Sequence, residues 1–165
     1  MERADLRHLV LPGLVLGVGM GGFVDGILLH QILQWHNMIA SVVPPADLVS
    51  AKLNMFWDGL FHAFTWMATA LGIGLLFENA RAGRVRWSRT AFVGALLMGW
   101  GLFNLVEGVV DHLVLGVHHV RTDRAQLAWD FGFLVLGLVQ LAVGAALVRR
   151  RRPGEALPRR KPVPA

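Results

Sequence analysis

The sequence contains no cysteine. Disulfides, thiolate metal sites and covalently attached c-type haem are therefore excluded. Charge is also scarce: of 165 residues only 16% are Asp, Glu, Lys or Arg, against 55% hydrophobic, with a positive mean hydropathy. That balance lies outside the range of a soluble domain of this size and reads as a membrane protein.

What is present is long apolar runs. Four can be read off, about 9–34, 55–77, 90–117 and 126–148, each near the roughly 20 residues that cross a hydrocarbon core about 30 Å thick. None has a Lys or Arg inside it. Arg3 and Arg7 precede the first in the manner of a secretory signal, but its run is too long and no small-residue cleavage site follows cleanly, so it is read as a span.

Basic residues set the expected orientation. Arg3 and Arg7 precede the first run, Arg81, Arg84, Arg86 and Arg89 fill the link between the second and third, and Arg149 to Arg152 follow the fourth. The opposite face has Lys52, Arg121 and Arg124. The positive-inside rule then puts both termini in the cytoplasm, with Trp35, Trp57 and Trp129 near the outer interface and Trp87 near the inner one. Residues 149–165 read as a basic, disordered cytoplasmic tail drawn to anionic lipid, and they supply much of the net charge of +5; nucleic-acid binding is set aside.

With that topology, acids and histidines gather toward one end of all four spans. Asp25, His30 and His36 come from the first, Asp58 and His62 from the second, and Asp130 from the fourth. The third adds Asn104, Glu107, Asp111, His112, His118 and His119. The other half has only Gln140 and small polar groups. An ionised Asp in mid-membrane costs at least ~2.5 kcal/mol, so such acids face a cavity, a partner or a cation. The compensating charge has three sources: rim cations (Lys52, Arg121 and Arg124 beside Asp58, Asp111 and Asp130), protons, or a bound metal.

The chain also repeats itself. GVGMGGFVDGILLHQILQWH (17–36) aligns without a gap on GWGLFNLVEGVVDHLVLGVH (99–118), sharing an acid-Gly-x3-His-x5-His pattern. FWDGLF and AWDFGF echo each other in spans two and four, although His62 faces Leu134 in that echo. The expected fold is an all-α membrane protein of four transmembrane helices arranged as two parallel helical-hairpin repeats (about 9–77 and 90–148), within a domain spanning 1–148. The glycines are read as close-packing surfaces between helices.

At 100° per residue Asp25 and His36 fall within about 20° of each other, as do Glu107 and His118. His30 and His112 sit roughly 140° round from their acids. After Pro44 and Pro45 a helix is expected to start near Ala46, ahead of the second span, with part of 46–54 on the membrane surface, and Thr122 is expected to cap span four.

Imidazole and carboxylate together are the donors of Fe, Zn, Mn or Cu(II) sites, and helix bundles hold such ions with inward acids and histidines. The candidate ligands are His30, His62 and His112, with Asp25, Asp58, Glu107 and Asp111 as ligands or orienting groups and His36 and His118 as outer ligands. Ferritin-type Glu-x-x-His spacing and clustered His boxes are both missing. Haem b between His30 and His112 is less favoured, because acids would surround the macrocycle. The rival classes are a proton or ion relay and a non-catalytic structural subunit of a membrane complex.

The motifs GFVDGILLHQILQWHNM, FWDGLFHAF and NLVEGVVDHLVLGVHHV resemble a bacterial family of predicted four-helix inner-membrane proteins of unknown function. The resemblance covers nearly the whole chain except the tail. That family is sometimes associated with factors that assemble terminal cytochrome oxidases. The resemblance thus implies a bacterial inner-membrane location, a partner in a respiratory complex and a role in metal handling or oxidase biogenesis.

Overall fold

A computed structural model describes residues 6–150, and these are all-helical and loop. Arg3 and the tail beyond residue 150 lie outside the described residues. Four helices, Arg7–Ile32, Leu48–Arg81, Arg89–Val114 and Gln126–Arg149, are long and apolar enough to cross a membrane. The first consists of α1 (Arg7–Val24) and a π-helical end, π1 (Asp25–Ile32). The third consists likewise of α3 (Arg89–Glu107) and π2 (Gly108–Val114). The others are α2 (Leu48–Arg81) and α4 (Gln126–Arg149).

Local chemistry explains the ends. Asp47 accepts from the backbone N–H groups of Val49 and Ser50 while Ser50 Oγ accepts from the Asp47 N–H, which is a capping box. Helix α2 is therefore continuous from Leu48, and the stretch expected to lie apart on the membrane surface is its first turns. Thr122 does not cap α4: the helix starts at Gln126 with Ala125 at the cap position, and Asp123 Oδ1 accepts the Ala125 N–H at 2.7 Å. Spans one and three end sooner than hydropathy suggests because Gln34 (φ +51°) and Gly116 (φ +58°), which occupy matching positions, turn the chain left-handed. Only Gly116 adopts that conformation without Cβ strain.

The first and third spanning helices form the centre. Helix α1 packs on α3, α2 on α1 and α4 on α3. About half of the most apolar stretch of α1 is buried, against 17% in α2 and α4. Large side chains such as Trp66, Met67, Phe131 and Val135 therefore point away from the protein. Glycine makes the central contact possible. A Cβ on Gly17 would meet the Leu96 carbonyl and lie 2.9 Å from Gly99 Cα, and one on Gly99 would meet the Leu14 carbonyl and lie 2.9 Å from Gly17 Cα. Gly94 against Gly144 and Gly101 against Gly137 do the same between α3 and α4.

Below the histidines, the Asn104 amide donates to Gln140 Oε1 at 2.9 Å, across α3 and α4. Gln140→Leu leaves that buried amide without its acceptor. It is expected to lower the unfolding free energy by about 1–3 kcal/mol, the cost of an unsatisfied buried polar group. Asn104→Leu/Gln140→Leu should recover much of it, since both partners become apolar. Denaturation in mixed micelles reads this difference.

Candidate metal centre

The shared acid-Gly-x3-His pattern has a geometric reason. In an α-helix a residue five positions on faces away, whereas the i→i+5 bonding of a π-helix stacks it above its predecessor. The chain switches to π geometry at Asp25 and again at Gly108. His30 Nε2 consequently comes to 3.0 Å from Asp25 Oδ2, where regular α geometry would hold the two roughly 140° apart. The intervening glycine admits the neighbouring helix. A Cβ on Gly26 would lie 2.8 Å from His62 Nε2, and one on Gly108 2.7 Å from Leu134 Cδ2.

His36 and His118 stand beyond the helix ends, in loops that cross toward each other. The His36 Nδ1–H donates to the Val120 carbonyl at 2.9 Å, and the His118 Nδ1–H donates to the Met38 carbonyl at 3.0 Å. The two rings stack at 4.7 Å with 7° between their planes. A carbonyl only accepts, so in each ring Nδ1 carries the hydrogen and Nε2 is left as a bare lone pair. Burial, then the neighbouring His30, pushes His36 down to about 4. Burial, then His36 and His112, pushes His118 well below the usual imidazole range. Both rings are neutral at pH 7.

Asp58 holds the His30 ring, and Asp130 lies beside the His112 ring without a hydrogen bond to it. Asp58 Oδ1 accepts from His30 Nδ1 at 3.0 Å and from the Met38 N–H at 2.8 Å, while Oδ2 takes the Asn37 amide at 2.7 Å. Asp130 Oδ1 accepts the Val120 N–H at 3.0 Å and lies 3.4 Å from His112 Nδ1, and Oδ2 takes His119 Nδ1 at 2.8 Å. Imidazoles and backbone therefore hold these acids. Arg121, expected beside them, pairs with Asp123 at 3.1 Å and lies over the Trp35 and Trp129 rings at 5.2 and 5.9 Å.

Six side chains converge inside this frame. Donor atoms of His30, His36 and His118, of Glu107, His112 and His118, and of Asp25, His30 and Glu107 each lie within 4.8 Å of one another. All six residues are buried. Among the described residues, every buried side-chain polar atom without a hydrogen-bond partner belongs to them, except Asn54 Oδ1: Asp25 Oδ2, both Glu107 oxygens, both His112 nitrogens, and Nε2 of His30, His36 and His118.

The expected ligands therefore divide. Asp25, His30, His36, Glu107, His112 and His118 come together, and the two histidines expected at an outer rim are in the middle of the group. Asp58 lies behind His30. His62 spends Nδ1 on the Asp58 carbonyl of its own helix at 2.7 Å and stands outside the donor groups, as does the half-buried Asp111. Asp130 and His119 were not among the expected ligands. Their signal was the match of Asp130 to Asp58 in the FWDGLF/AWDFGF echo. The space between His30 and His112 holds the rings of His36 and His118, with centroids 4.4 to 6.4 Å from theirs.

A family model described as "Predicted membrane protein (DUF2243)" matches residues 12–151. No curated protein and no solved structure matches the chain.

Proposed function

We propose that this chain, which belongs to the DUF2243 family of predicted membrane proteins, binds a transition metal through Asp25, His30, His36, Glu107, His112 and His118. One observation carries the reading: among the described residues all but one of the buried side-chain polar atoms that lack partners sit on these six residues, whose donor atoms lie within 4.8 Å of one another in three overlapping groups of three. Each such atom costs about 1–3 kcal/mol when left alone. A cation that accepts their lone pairs removes that cost, and it also balances acids in spans without Lys or Arg.

The contact between His30 and Asp25 sharpens the case. With Nδ1–H committed to Asp58, the neutral His30 ring turns a lone pair toward the Asp25 carboxylate at 3.0 Å. Only a proton or a metal ion makes that contact attractive. A second proton on His30 serves this one contact but leaves Nε2 of His36 and of His118 unserved, with the Glu107 carboxylate beside them. Four imidazoles and two carboxylates suit Fe, Mn, Zn or Cu(II). Haem b has less support, because imidazole rings fill the gap between His30 and His112. The relay reading also has less support, since below Glu107 the polar contacts between helices are sparse, among them the Asn104–Gln140 pair and the Asn79 amide on the His8 carbonyl at 3.2 Å.

By the distribution of arginines, both termini lie in the cytoplasm and the centre lies in the outer leaflet. With the resemblance to a family associated with oxidase assembly, this supports metal handling for a respiratory complex in the bacterial inner membrane.

The orienting acids test the assignment without removing a donor. Asp58→Asn and Asp130→Asn are each expected to weaken metal binding by roughly 10–100-fold, the usual effect of losing a carboxylate behind a ligating histidine. Metal titration of the purified variants in detergent measures this. Affinity unchanged in both would count against the assignment.

A further inference from the structure

Two clefts flank the centre at matching positions. Val18, Trp57, Phe61, Phe64, Phe103 and Glu107 help line one of about 480 Å³ between α2 and α3. The other, of about 340 Å³, has Trp100, Trp129, Phe133 and Asp25 in its wall. Trp57, Phe64 and Val106 are 43%, 49% and 54% exposed within a membrane-spanning stretch, so the larger cleft opens sideways toward hydrocarbon.

The two clefts differ in one respect that matters chemically. The larger has Asp111 beside Glu107, whereas the smaller has Leu29 in the place of Asp111. The larger therefore has two carboxyl groups in its wall among aromatic side chains, and both oxygens of the buried Glu107 lack hydrogen-bond partners. An acyl chain offers those oxygens nothing, and a phosphate headgroup brings like charge. A carboxylate has about four lone-pair sites, more than one metal bond uses, so Glu107 can serve the centre and still accept from a neutral hydroxyl, while an aromatic ring packs against Trp57, Phe61, Phe64 and Phe103 edge-on or offset. The volume lies within the ordinary range for a small-molecule site.

We infer that the α2/α3 cleft binds a membrane-dissolved molecule with a hydroxylated aromatic head on an apolar tail, the head donating to Glu107 and Asp111. It enters from the bilayer and places its hydroxyl beside the six donor residues. The inference deepens the metal reading by naming a substrate class for that centre, but binding itself needs only the cleft.

The test uses full-length protein in lipid nanodiscs, with radiolabelled decylbenzoquinol as probe and decylbenzene as the competitor lacking hydroxyls. Metal content is measured on the same samples. One saturable site per chain is expected, displaced by unlabelled quinol and not by decylbenzene. Asp111→Leu should weaken it on the order of tenfold, the worth of a charged hydrogen bond, with metal content unchanged. Val18→Trp, which copies Trp100 of the smaller cleft, should abolish it by filling the slot. Equal displacement by decylbenzene, or unaltered binding in Asp111→Leu, would reduce the cleft to a lipid groove and overturn the inference. Loss of metal together with probe in Asp111→Leu would overturn it too, by making Asp111 part of the centre. Specific quinol binding to protein devoid of metal would sustain the inference while removing the metal reading.

Discussion

Gly99→Val is expected to abolish accumulation of folded protein in the membrane. The substituent would grow into the Leu14 carbonyl with Gly17 Cα 2.9 Å away, so backbone and not a pliable side chain stands in its path. Helices α1 and α3 would have to separate along the seam that carries the whole bundle. Overpacking a rigid contact costs typically 1–3 kcal/mol, and here the branched side chain faces the α1 main chain at Leu14 and Gly17 together. Because π1, which continues α1, carries Asp25 and His30, while α3 and its continuation π2 carry Glu107 and His112, separation would pull the donor groups apart. Gly17→Val should behave alike. Gly59, Gly74 and Gly132 are the controls: nothing lies within 4 Å of their added Cβ, so alanine there should be neutral or stabilising by about 0.5–1 kcal/mol. Detergent-resistant monodisperse yield separates the two sets. Normal yield of Gly99→Val would mean the seam is looser than the distances say.

The second large effect concerns His30→Ala/His118→Ala. His30 belongs to two of the three donor groups and His118 to two, and together they touch all three. Losing an orienting partner of a ligand already costs roughly 10–100-fold in metal affinity. Losing two ligands should cost on the order of 10³-fold or more, enough to leave purified protein metal-free. The fold should survive: each substitution removes an unpartnered Nε2, and the Asp58 carboxylate keeps the Met38 N–H and the Asn37 amide. Retained metal in a well-folded double variant would place the ion elsewhere.

Much of this was legible in sequence, for identifiable reasons. Hydropathy reports burial in lipid, so four spans could be read without any structure. The gapless alignment of 17–36 on 99–118 paired Gly17 with Gly99 and His36 with His118, and those pairs meet in space. At 100° per residue His30 falls away from Asp25, yet the two are in contact at 3.0 Å because the chain turns π there. The expected approach of Asp25 to His36 and of Glu107 to His118 is met, at 4.0 and 3.5 Å, but with the histidines in loops and not on a shared helix face. Composition gives no notice of a π turn, because its bonds use the same residues as an α turn. The anchoring of His36 on the Val120 carbonyl and His118 on the Met38 carbonyl was equally hidden. Backbone acceptors carry no residue signature, and only the folded loops bring them within 3.0 Å.

The consequence for chemistry lies in those anchors. A histidine whose Nδ1–H is fixed by a carbonyl or a carboxylate presents Nε2 in one direction and one protonation state, as metal sites require. Three of the four central histidines are held so, and the fourth, His112, has Asp130 3.4 Å from its Nδ1. A purely structural layer would gain by pairing all its nitrogens and oxygens with one another; here His30 meets Asp25 at 3.0 Å and His118 approaches Glu107 at 3.5 Å, while Nε2 of His36 and both His112 nitrogens stay without a hydrogen-bond partner.

The most direct test is elemental analysis of the detergent-purified wild-type protein, before and after reconstitution with Fe, Mn, Zn and Cu salts. At least one equivalent of one of these metals per chain, retained through gel filtration, is the predicted result. Protein that is monodisperse and helical yet stays metal-free after reconstitution would contradict the account.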